Sequence, residues 1–395
     1  MIIWFALIIP ILAAPFLYLG FKHLIVWWEL LIPVGVCLIF IALMKAGVET
    51  CQTADTEYWT GYITQAKFQE RWTEEWDEYI PEQGYTEYSG SGKNRTSRYV
   101  VDRPAHWEHR IVHHPDEFWM IDNNGITRGI SRDYYHQLTK LWHNKHHENV
   151  IHFRQTSIGD GGLNWTNWDQ KRDTMIVLTT SHQYENRVQA SHSVFKFPKI
   201  EDKTDLFDYP SLEDETNVPS ILGVPESDPA NRFLCTRNAE LGRDKQIRMW
   251  VLIYNDKPLQ TAIDQESLWM GGNKNELVVC IGTNAKQEVK WCYVFSWTES
   301  ERLKIDVRQH IMGQKKLDLM DAAEYMSNAS SEKFVRKHFK DFSYLTVDPP
   351  MWSIWTTYII TLLITAGCSV WSIFNQFNED NPTGDGGYGR RRWSY

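Results

Sequence analysis

The sequence predicts an α+β or α/β soluble domain that is anchored by three transmembrane helices. Three observations predict this class. Three apolar stretches lie near the two ends of the chain, strand-like alternation fills the first part of the middle, and a β-α-β-β-α-α order fills the second part. The 395 residues are 43% apolar and 23% charged, which is enough for a packed core and too apolar for intrinsic disorder.

The apolar stretches have the length and composition of membrane spans. Ile2–Phe21 and Met351–Phe374 contain no charged residue, and Leu24–Met44 contains only Glu29. Each has about the 20 residues that a helix needs to cross ~30 Å of hydrocarbon. The sequence therefore predicts a transmembrane hairpin over residues 1–45 and a third transmembrane helix over residues 346–374.

Two alternatives concern the hairpin. The first stretch could be a cleaved signal peptide, because Ala13-Ala14-Pro15 is small enough for a processing site, but it lacks a basic n-region and a second span follows at once. Glu29 is the intramembrane acid and a candidate for a proton or ion role. The simpler interpretation is that its carboxylate reaches back to Lys22 or His23 at the hairpin turn.

Charge in the short segments indicates the orientation. With three spans, the hairpin turn and the Gly/Arg-rich tail 375–395 lie on one side of the membrane. Lys22 and Arg390-Arg391-Arg392 make both segments basic, and short basic segments stay cytoplasmic. Four basic residues between 333 and 340 oppose this orientation. We therefore expect a multi-pass membrane protein with an extracytoplasmic soluble domain and a cytoplasmic turn and tail.

The soluble domain begins with a β-rich module over residues 46–197. Tyrosine and threonine alternate with period two over Tyr58–Thr64, as in a half-buried strand. Asn123-Asn124-Gly125 predicts a β-hairpin turn, because Asn and Gly accept the positive φ of tight turns. Ser131 predicts the N-cap of a helix over Arg132–Trp142.

Further strands are expected in this module. Ser89–Asn94 predicts an exposed turn, and Arg98–Arg103 predicts the strand that returns from it. Thr174–Thr180 and Val188–Phe197 also have the composition of strands. Residues 198–245 are rich in Pro, Asp, Glu and Ser and show little apolar periodicity, which predicts a linker or a draped loop.

Residues 246–345 predict an α/β module. Strands are expected at Ile247–Tyr254, Leu277–Gly282 and Val289–Trp297. Helices are expected at Pro258–Met270, from the Thr298/Glu301 capping-box spacing to Ile311, at Leu317–Met326 and at Ser331–Phe342. Because Leu277–Ile281 is almost wholly apolar, we expect a central strand that is covered on both faces, in one sheet with its helices on a common side.

Part of this module resembles a known family. A strand ending at Val251–Tyr254 is followed by a helix through Leu268-Trp269, a Gly-rich turn and the strand Leu277–Cys280. These residues resemble the TPM domain family of extracytoplasmic α/β modules, which are often tethered by a carboxy-terminal membrane helix. The tail Gly384–Gly389, followed by Trp393, is similar to the Gly-rich aromatic tail of many members.

The turn in this resemblance is a candidate site. Its residues are Gly271, Gly272, Asn273, Lys274, Asn275 and Glu276. Where the family shows Asp-Asn-Gly, this chain has Asn275-Glu276-Leu277. The resemblance therefore implies a TPM-like phosphohydrolase with a degenerate acidic site. The whole chain also resembles uncharacterised multi-pass membrane proteins of phages and bacteria, through Asp55–Trp59, Glu185–His192 and Gly271–Asn275. That resemblance implies no activity.

Histidines form the second candidate site. Nine of the 14 lie between His106 and His152, and imidazole is the commonest transition-metal ligand. The candidate ligands are His106, His109, His113 and His114. Their spacing matches no known zinc motif, and adjacent residues on a strand point to opposite faces. We therefore expect solvated surface imidazoles, with neither a metal nor another cofactor.

The sequence argues against several other functions, including nucleic-acid binding, nucleophilic catalysis and calcium binding. The net charge of -9 argues against nucleic acid as a partner. No P-loop or GxSxG elbow occurs, and no cysteine sits in a nucleophile motif. Cys280 and Cys292 lie on adjacent predicted strands, where they could face each other as a disulfide or as buried thiols. The acidic stretches Glu74–Glu78 and Glu213–Glu215 lack the spacing of a calcium loop and indicate solvated surface.

These observations indicate an interaction protein. The hypothesis is a membrane-anchored interaction or scaffold protein without a catalytic role, which displays an aromatic-rich domain at the membrane surface. Its partners would be the lipid bilayer and a protein partner or a second copy, since patches of Trp and Tyr anchor interfaces. The alternative is the TPM-like hydrolase, which requires several convergent carboxylates beside the Gly271–Glu276 turn.

Overall fold

The computed structural model describes residues 2–21, 25–89, 96–142, 144–150, 156–158, 161–169, 171, 174–191, 194, 196–212 and 215–375. The chain divides into two compact units. Unit 1 comprises residues 1–56, 183–196 and 338–395, and unit 2 comprises residues 57–182 and 197–337. Several predictions lie outside the described residues: the tail 376–395, the turn 90–94, His143, His152 and Glu213-Asp214.

Helices lie near both ends of the described chain and between and after the strands of its second half. The α-helices are α1 (Ile8–Phe21), α2 (Leu31–Thr53), α3 (Arg132–Leu141), α4 (Arg187–Ala190), α5 (Pro229–Lys245), α6 (Gln260–Leu268), α7 (Glu301–Gly313), α8 (Leu319–Lys333) and α9 (Met351–Asn375). Short 3-10 helices at Ile2–Leu7 and Trp27–Leu30 precede α1 and α2, and a third lies at Phe339–Phe342.

Strands fill the first half of unit 2 and the core of its second half. They are β1 (Ala54–Gln69), β2 (Trp72–Ile80), β3 (Gln83–Ser89), β4 (Thr96–Arg103), β5 (His106–His114), β6 (Glu117–Asp122), β7 (Thr127–Gly129), β8 (Asn144–Asn149), β9 (Thr156–Ile158), β10 (Gly162–Asn167), β11 (Val177–Glu185), β12 (Ile221–Leu222), β13 (Arg248–Asn255), β14 (Glu276–Thr283) and β15 (Val289–Ser296).

Unit 1 contains three helices that are long and apolar enough to span a membrane: Ile2–Phe21, Trp27–Thr53 and Met351–Phe374. This confirms the prediction of three such helices. One face of α9 carries a small hydroxyl residue every fourth position, at Ser353, Thr357, Thr361, Thr365 and Ser369, and the first four are buried. Hydroxyls of Thr357, Thr365 and Ser369 donate to the carbonyl four residues earlier, at 2.6–2.7 Å.

The second half of unit 2 is built on a four-stranded sheet in the order β12-β13-β14-β15. β13 pairs with β14 in parallel, and β15 pairs with β14 antiparallel. Every residue of β14 is buried, so the prediction of a central strand covered on both faces is confirmed. The predicted order of strands and helices is also confirmed through α7.

The prediction that the helices lie on a common side of the sheet was wrong. Val251, Leu277 and Val279 pack against α5, α7 and α8 on one face of the sheet. Trp250, Leu252 and Val278 pack with Ala262 and Trp269 around α6 on the other. Because both faces of β13 and β14 are apolar, the strand sequence alone does not tell which face a helix covers.

Residues 198–245 are not wholly a linker or draped loop, because they contain α5. Asp228 caps this helix by accepting a hydrogen bond from the Ala230 N–H, and Pro229 occupies its first turn. The helix was missed because its buried face is partly polar. Asn238 is fully buried, where it donates to Met249 O at 2.9 Å and accepts from Met249 N at 2.8 Å.

Two further elements were predicted wrongly. Arg187–Ala190 forms a short helix capped by Asn186, where a strand from Val188 was expected. α8 continues to Lys333 as one helix and is followed by extended chain, where a new helix was expected from Ser331. The short helix begins at the Asn186 cap, which no apolar repeat follows, and α8 runs on past Met326 because Ala329 and Ser330 continue its buried face.

The first half of unit 2 is β-rich, as expected. Its larger sheet has the order β7-β6-β1-β10-β8, and β11 also pairs with β1. The predicted hairpin is present as β6 and β7, and Ser131 caps α3 by accepting from the Tyr134 N–H. Residues from β1, β6, α3 and β11 build the core of this half, including Ile63, Met120 and Leu138.

Candidate functional site

A long antiparallel ribbon runs through the first half of unit 2. β2 pairs with β5 from Trp72↔His114 to Ile80↔His106, and β3 pairs with β4 from Gln83↔Arg103 to Ser89↔Thr96. The two pairs follow one another directly along the chain, so residues 72–89 and 96–114 form one structure, which we call the ribbon. Pro81 and Glu82 separate β2 from β3, so the ribbon consists of two consecutive strand pairs in two sheets. Only β9 adds a third strand among the described residues, at Thr73–Glu75.

The ribbon exposes an unusual number of apolar side chains. Eight large ones are 39–69% exposed: Tyr79, Tyr85, Tyr88, Tyr99, Val101, Trp107, Ile111 and Val112. Single exposed apolar residues are ordinary, but this set lies on one element that is two strands wide. Trp and Tyr are also the residues that contribute most to protein interfaces. The ribbon is therefore the candidate interaction surface.

Acids on β2 face histidines and arginine on β5. The distance from His109 Nδ1 to Asp77 Oδ1 is 2.8 Å, and that from His114 Nε2 to Glu74 Oε2 is 3.2 Å. Arg110 Nε lies 3.0 Å from Glu78 Oε2. The sequence presents the histidine cluster and the acidic stretch as two separate solvated surfaces. In the structure they lie on adjacent strands and form a cross-strand ladder of paired side chains.

The ladder separates the four candidate metal ligands. His113 pairs with Thr73, His114 stacks on Trp72 at 4.0 Å, and His106 contacts the carbonyl of Pro104. His109 faces Asp77 and Glu75. In the part of the chain that the structure describes, no three His, Cys, Asp or Glu residues form a group that could hold a metal ion.

The ribbon should become less stable as the pH rises. The hydrogen bond to Asp77, with the nearby Glu75 carboxylate, raises the pKa of His109 above 6.5. Because the folded-state pKa is raised, the pairing contributes its full stability below pH 6.5 and loses it as the pH rises through the raised pKa. We expect amide exchange of residues 74–78 to be slower at pH 6 than at pH 8, after correction for intrinsic exchange.

Asp77→Asn should reduce this pH dependence and return the pKa of His109 towards 6.5, as followed by the NMR titration of its imidazole. Asp102→Asn, an exposed change on the same ribbon, is the matched control and should leave the titration unchanged. An unaltered His109 titration in Asp77→Asn would contradict the assignment.

The Gly271–Glu276 turn surrounds a buried carboxylate. Gly271 and Gly272 have φ of 81° and 77°, which brings the chain back over the end of α6. Glu276 is only 1% exposed. Its Oε1 accepts hydrogen bonds from Trp250 Nε1 at 2.9 Å and from the Tyr209 hydroxyl, and its Oε2 accepts from Asn273 N at 2.8 Å.

A buried arginine lies next to this carboxylate. The Arg248 guanidinium donates to Thr60 Oγ1 at 2.7 Å and to Thr179 Oγ1 at 3.2 Å, and it stacks 4.3 Å from the Trp250 ring. Burial lowers the pKa of Arg248, while the negative charge of Glu276 opposes this change. Asn275 completes the turn by donating to Tyr58 O at 2.8 Å.

This arrangement leaves little capacity for catalysis. Both oxygens of Glu276 already accept hydrogen bonds from the protein, and the turn itself supplies no second acid. The buried acid Glu57 is paired with Arg336 and lies 3.6 Å from Lys274 Nζ. Hydrolysis by convergent carboxylates would need acids that are free to bind a metal or a water, and both oxygens of Glu276 are already occupied.

Glu29 is buried in unit 1 and caps the start of its helix. Its Oε2 accepts from the Val26 N–H at 2.9 Å, and Oε1 has no hydrogen-bond partner among the described residues. The cavity beside it, which Ser369 and Ser372 also line, is just large enough for one water molecule. Lys22 and His23, its predicted partners, lie outside the described residues.

The cysteines offer no reactive thiol pair in the sheet. Cys292 lies opposite Ile281, and Cys280 lies opposite Tyr293. The two cysteines therefore point to opposite faces of the sheet and do not meet, contrary to the facing arrangement considered from the sequence. Burial raises the pKa of Cys292 to about 12 and raises that of Cys280 well above its ordinary value, which disfavours the reactive thiolate form of both.

No protein-family model, curated protein or solved structure matches the chain. The ribbon, the buried turn and the three apolar helices are therefore the features from which a function can be inferred.

Proposed function

We propose that this protein is a membrane-anchored interaction or scaffold protein without a catalytic role, and that the ribbon is its binding surface. The exposed apolar ribbon is the observation that supports the proposal. The alternative of a TPM-like phosphohydrolase is less well supported, because the carboxylate at its candidate turn is occupied by Trp250, Tyr209 and Asn273.

Stability supports a binding role for the ribbon. A two-stranded hairpin alone is marginally stable in water, and a sheet normally needs three or more strands or a packed face. β3 and β4 form a sheet of two strands, and Tyr85, Tyr88 and Tyr99 on it are more than half exposed. Binding of a partner would cover these rings and add strands or packing that the described residues do not supply to β3 and β4.

The three apolar helices support membrane anchoring. The bilayer is then the first partner, and the orientation proposed from charge places the soluble part outside the cytoplasm with the turn and tail inside. Anchoring restricts the protein to two dimensions, which raises the effective concentration of any partner held in the same membrane.

Photo-crosslinking of the full-length chain in its own membrane tests the proposal. A benzophenone amino acid placed at Tyr85 or Trp107 should crosslink to protein, because these positions lie on the ribbon. The matched control is Ile305 on α7, which is 52% exposed and should not crosslink. Trp107→Ser should reduce the product formed at Tyr85 several-fold. Equal crosslinking from Ile305, or none from the ribbon, would overturn the proposal.

A further inference from the structure

β4 has an open edge in the part of the chain that the structure describes. It pairs with β3 on one side, and no described strand pairs with the other. An open edge presents backbone N–H and C=O groups that can pair with another strand. Prolines and lysines often protect such edges, and β4, with the sequence Thr-Ser-Arg-Tyr-Val-Val-Asp-Arg, contains neither.

The side chains of β4 are complementary to a second β4 running in the opposite direction. If two copies of Val100 lie opposite each other, Arg98 lies opposite Asp102 of the second copy, and Asp102 lies opposite the second Arg98. On the other face, Tyr99 lies opposite Val101 in both directions. Opposite charges and aromatic–β-branched pairs are the cross-strand pairs that stabilise a sheet.

The register is specific. A shift of one residue in one direction places Arg98 opposite Arg103 of the second copy, which is repulsive. A shift in the other direction places Asp102 opposite Ser97 and removes both charge pairs. Neither Arg98 nor Asp102 forms an ion pair with another residue in the described ranges, although Glu87 lies across from Arg98 on β3. Both charges are thus available to a second copy.

The other open strands of the ribbon are less suited to self-pairing. β3 carries Glu87 as its one charged residue and offers no cation to a second β3. Self-pairing of β5 centred on His109 would place Glu108 opposite Arg110, but Arg110 already forms ion pairs with Glu78 and Glu108 of its own chain. β4 is therefore the open strand whose opposite charges form no ion pair within the described residues and whose exposed apolar side chains also match each other.

We propose that the ribbon binds a second copy of this chain through antiparallel pairing of β4 with β4, centred on Val100. The proposal rests on the proposed function of the ribbon and names its partner. The contact is isologous, because the same strand is used by both copies about a two-fold axis. It joins two two-stranded sheets into a four-stranded sheet, β3-β4-β4-β3, and it covers Tyr99 and Val101 of both copies.

Cysteine crosslinking tests the register. In a Cys51→Ser background, which removes a cysteine exposed outside the sheet, Val100→Cys should form a covalent dimer under mild oxidation. Opposite Cα atoms in antiparallel strands are about 4.5–5.5 Å apart, within the range that a disulfide spans. The matched control is Ser97→Cys. The two copies of that residue would be offset by six positions, or roughly 20 Å, and should not crosslink.

Charge reversal tests the pairing without new cysteines. Arg98→Asp and Asp102→Arg should each weaken dimerisation about tenfold or more, because each replaces two attractive pairs by two repulsive ones. The double variant with both changes restores opposite charges in the same register and should recover most of the dimer. Dimer content is measured by analytical ultracentrifugation or mass photometry in detergent.

The outcomes separate this inference from the proposed function. Covalent dimers from Val100→Cys alone, with rescue by the double reversal, support β4 pairing. Photo-crosslinks from the ribbon to a different protein, with no dimer from Val100→Cys, would retain the interaction function and overturn self-pairing. Equal crosslinking of Val100→Cys and Ser97→Cys, or failure of the double variant to recover, would overturn the proposed register. Absence of any crosslink from the ribbon would overturn both proposals.

Discussion

Gly242→Ala is expected to destabilise unit 2 by about 3 kcal/mol or more. A Cβ at this position would lie 1.7 Å from the carbonyl oxygen of Thr60 and 2.8 Å from its carbonyl carbon. Both are backbone atoms of β1, so no side chain can rotate away, and α5 would have to move off the strand. An exposed glycine in a helix would behave oppositely, since Gly→Ala there stabilises by roughly 0.5–1 kcal/mol.

Gly313→Ala provides the matched control, because nothing lies within 4 Å of its Cβ position at the end of α7. Urea unfolding of the full-length protein in detergent, followed by tryptophan fluorescence, measures both variants. We expect a large loss for Gly242→Ala, and no loss or a small gain for Gly313→Ala. Equal midpoints for the two variants would show that α5 does not approach β1 as closely as described.

The second large effect is expected for Glu276→Gln, at about 3–5 kcal/mol of unfolding free energy. The substitution removes the negative charge beside the buried Arg248, and it places an NH₂ group against donors that now meet a carboxylate. The two side chains form no ion pair within 4 Å, but the Coulombic attraction of Glu276 opposes the desolvation of Arg248, and the substitution removes it. Glu299→Gln, on an exposed acid of the same unit, should change stability by less than about 0.5 kcal/mol.

A double-mutant cycle tests whether Glu276 acts through Arg248. Arg248→Met removes the other charge, so the variant with both changes should be more stable than the sum of the single effects predicts, by at least about 1 kcal/mol. Additive losses would mean that Glu276 acts only through Trp250, Tyr209 and Asn273, and not through Arg248.

Much of the architecture could be predicted because the signals were local. Apolar length predicts the three candidate spans, and the apolar strand around Val279 together with Ser131 as a cap predicts parts of unit 2. The prediction from sequence failed where the buried side chains are polar. Asn231 and Asn238 on α5 look like loop residues in the sequence, yet both are buried and bonded to neighbouring backbone.

The candidate surface was predictable only in part. The sequence shows the histidines and the acidic stretch, but their pairing depends on the register that aligns Asp77 with His109. The arginine and glutamate that stabilise unit 2 begin adjacent strands and resemble ordinary surface residues there. Their burial follows from Arg248↔Glu276 pairing and from β1, which is distant in sequence.

The hydroxyl residues on α9 matter for how this helix is accommodated in hydrocarbon. A helix that carries this many polar side chains would be costly to place in hydrocarbon if each one needed a partner from another helix. The side chains of Thr357, Thr365 and Ser369 instead use their own backbone carbonyls. α9 therefore needs no second helix to satisfy these three hydroxyls in hydrocarbon, whereas the buried Thr361 hydroxyl has no hydrogen-bond partner among the described residues.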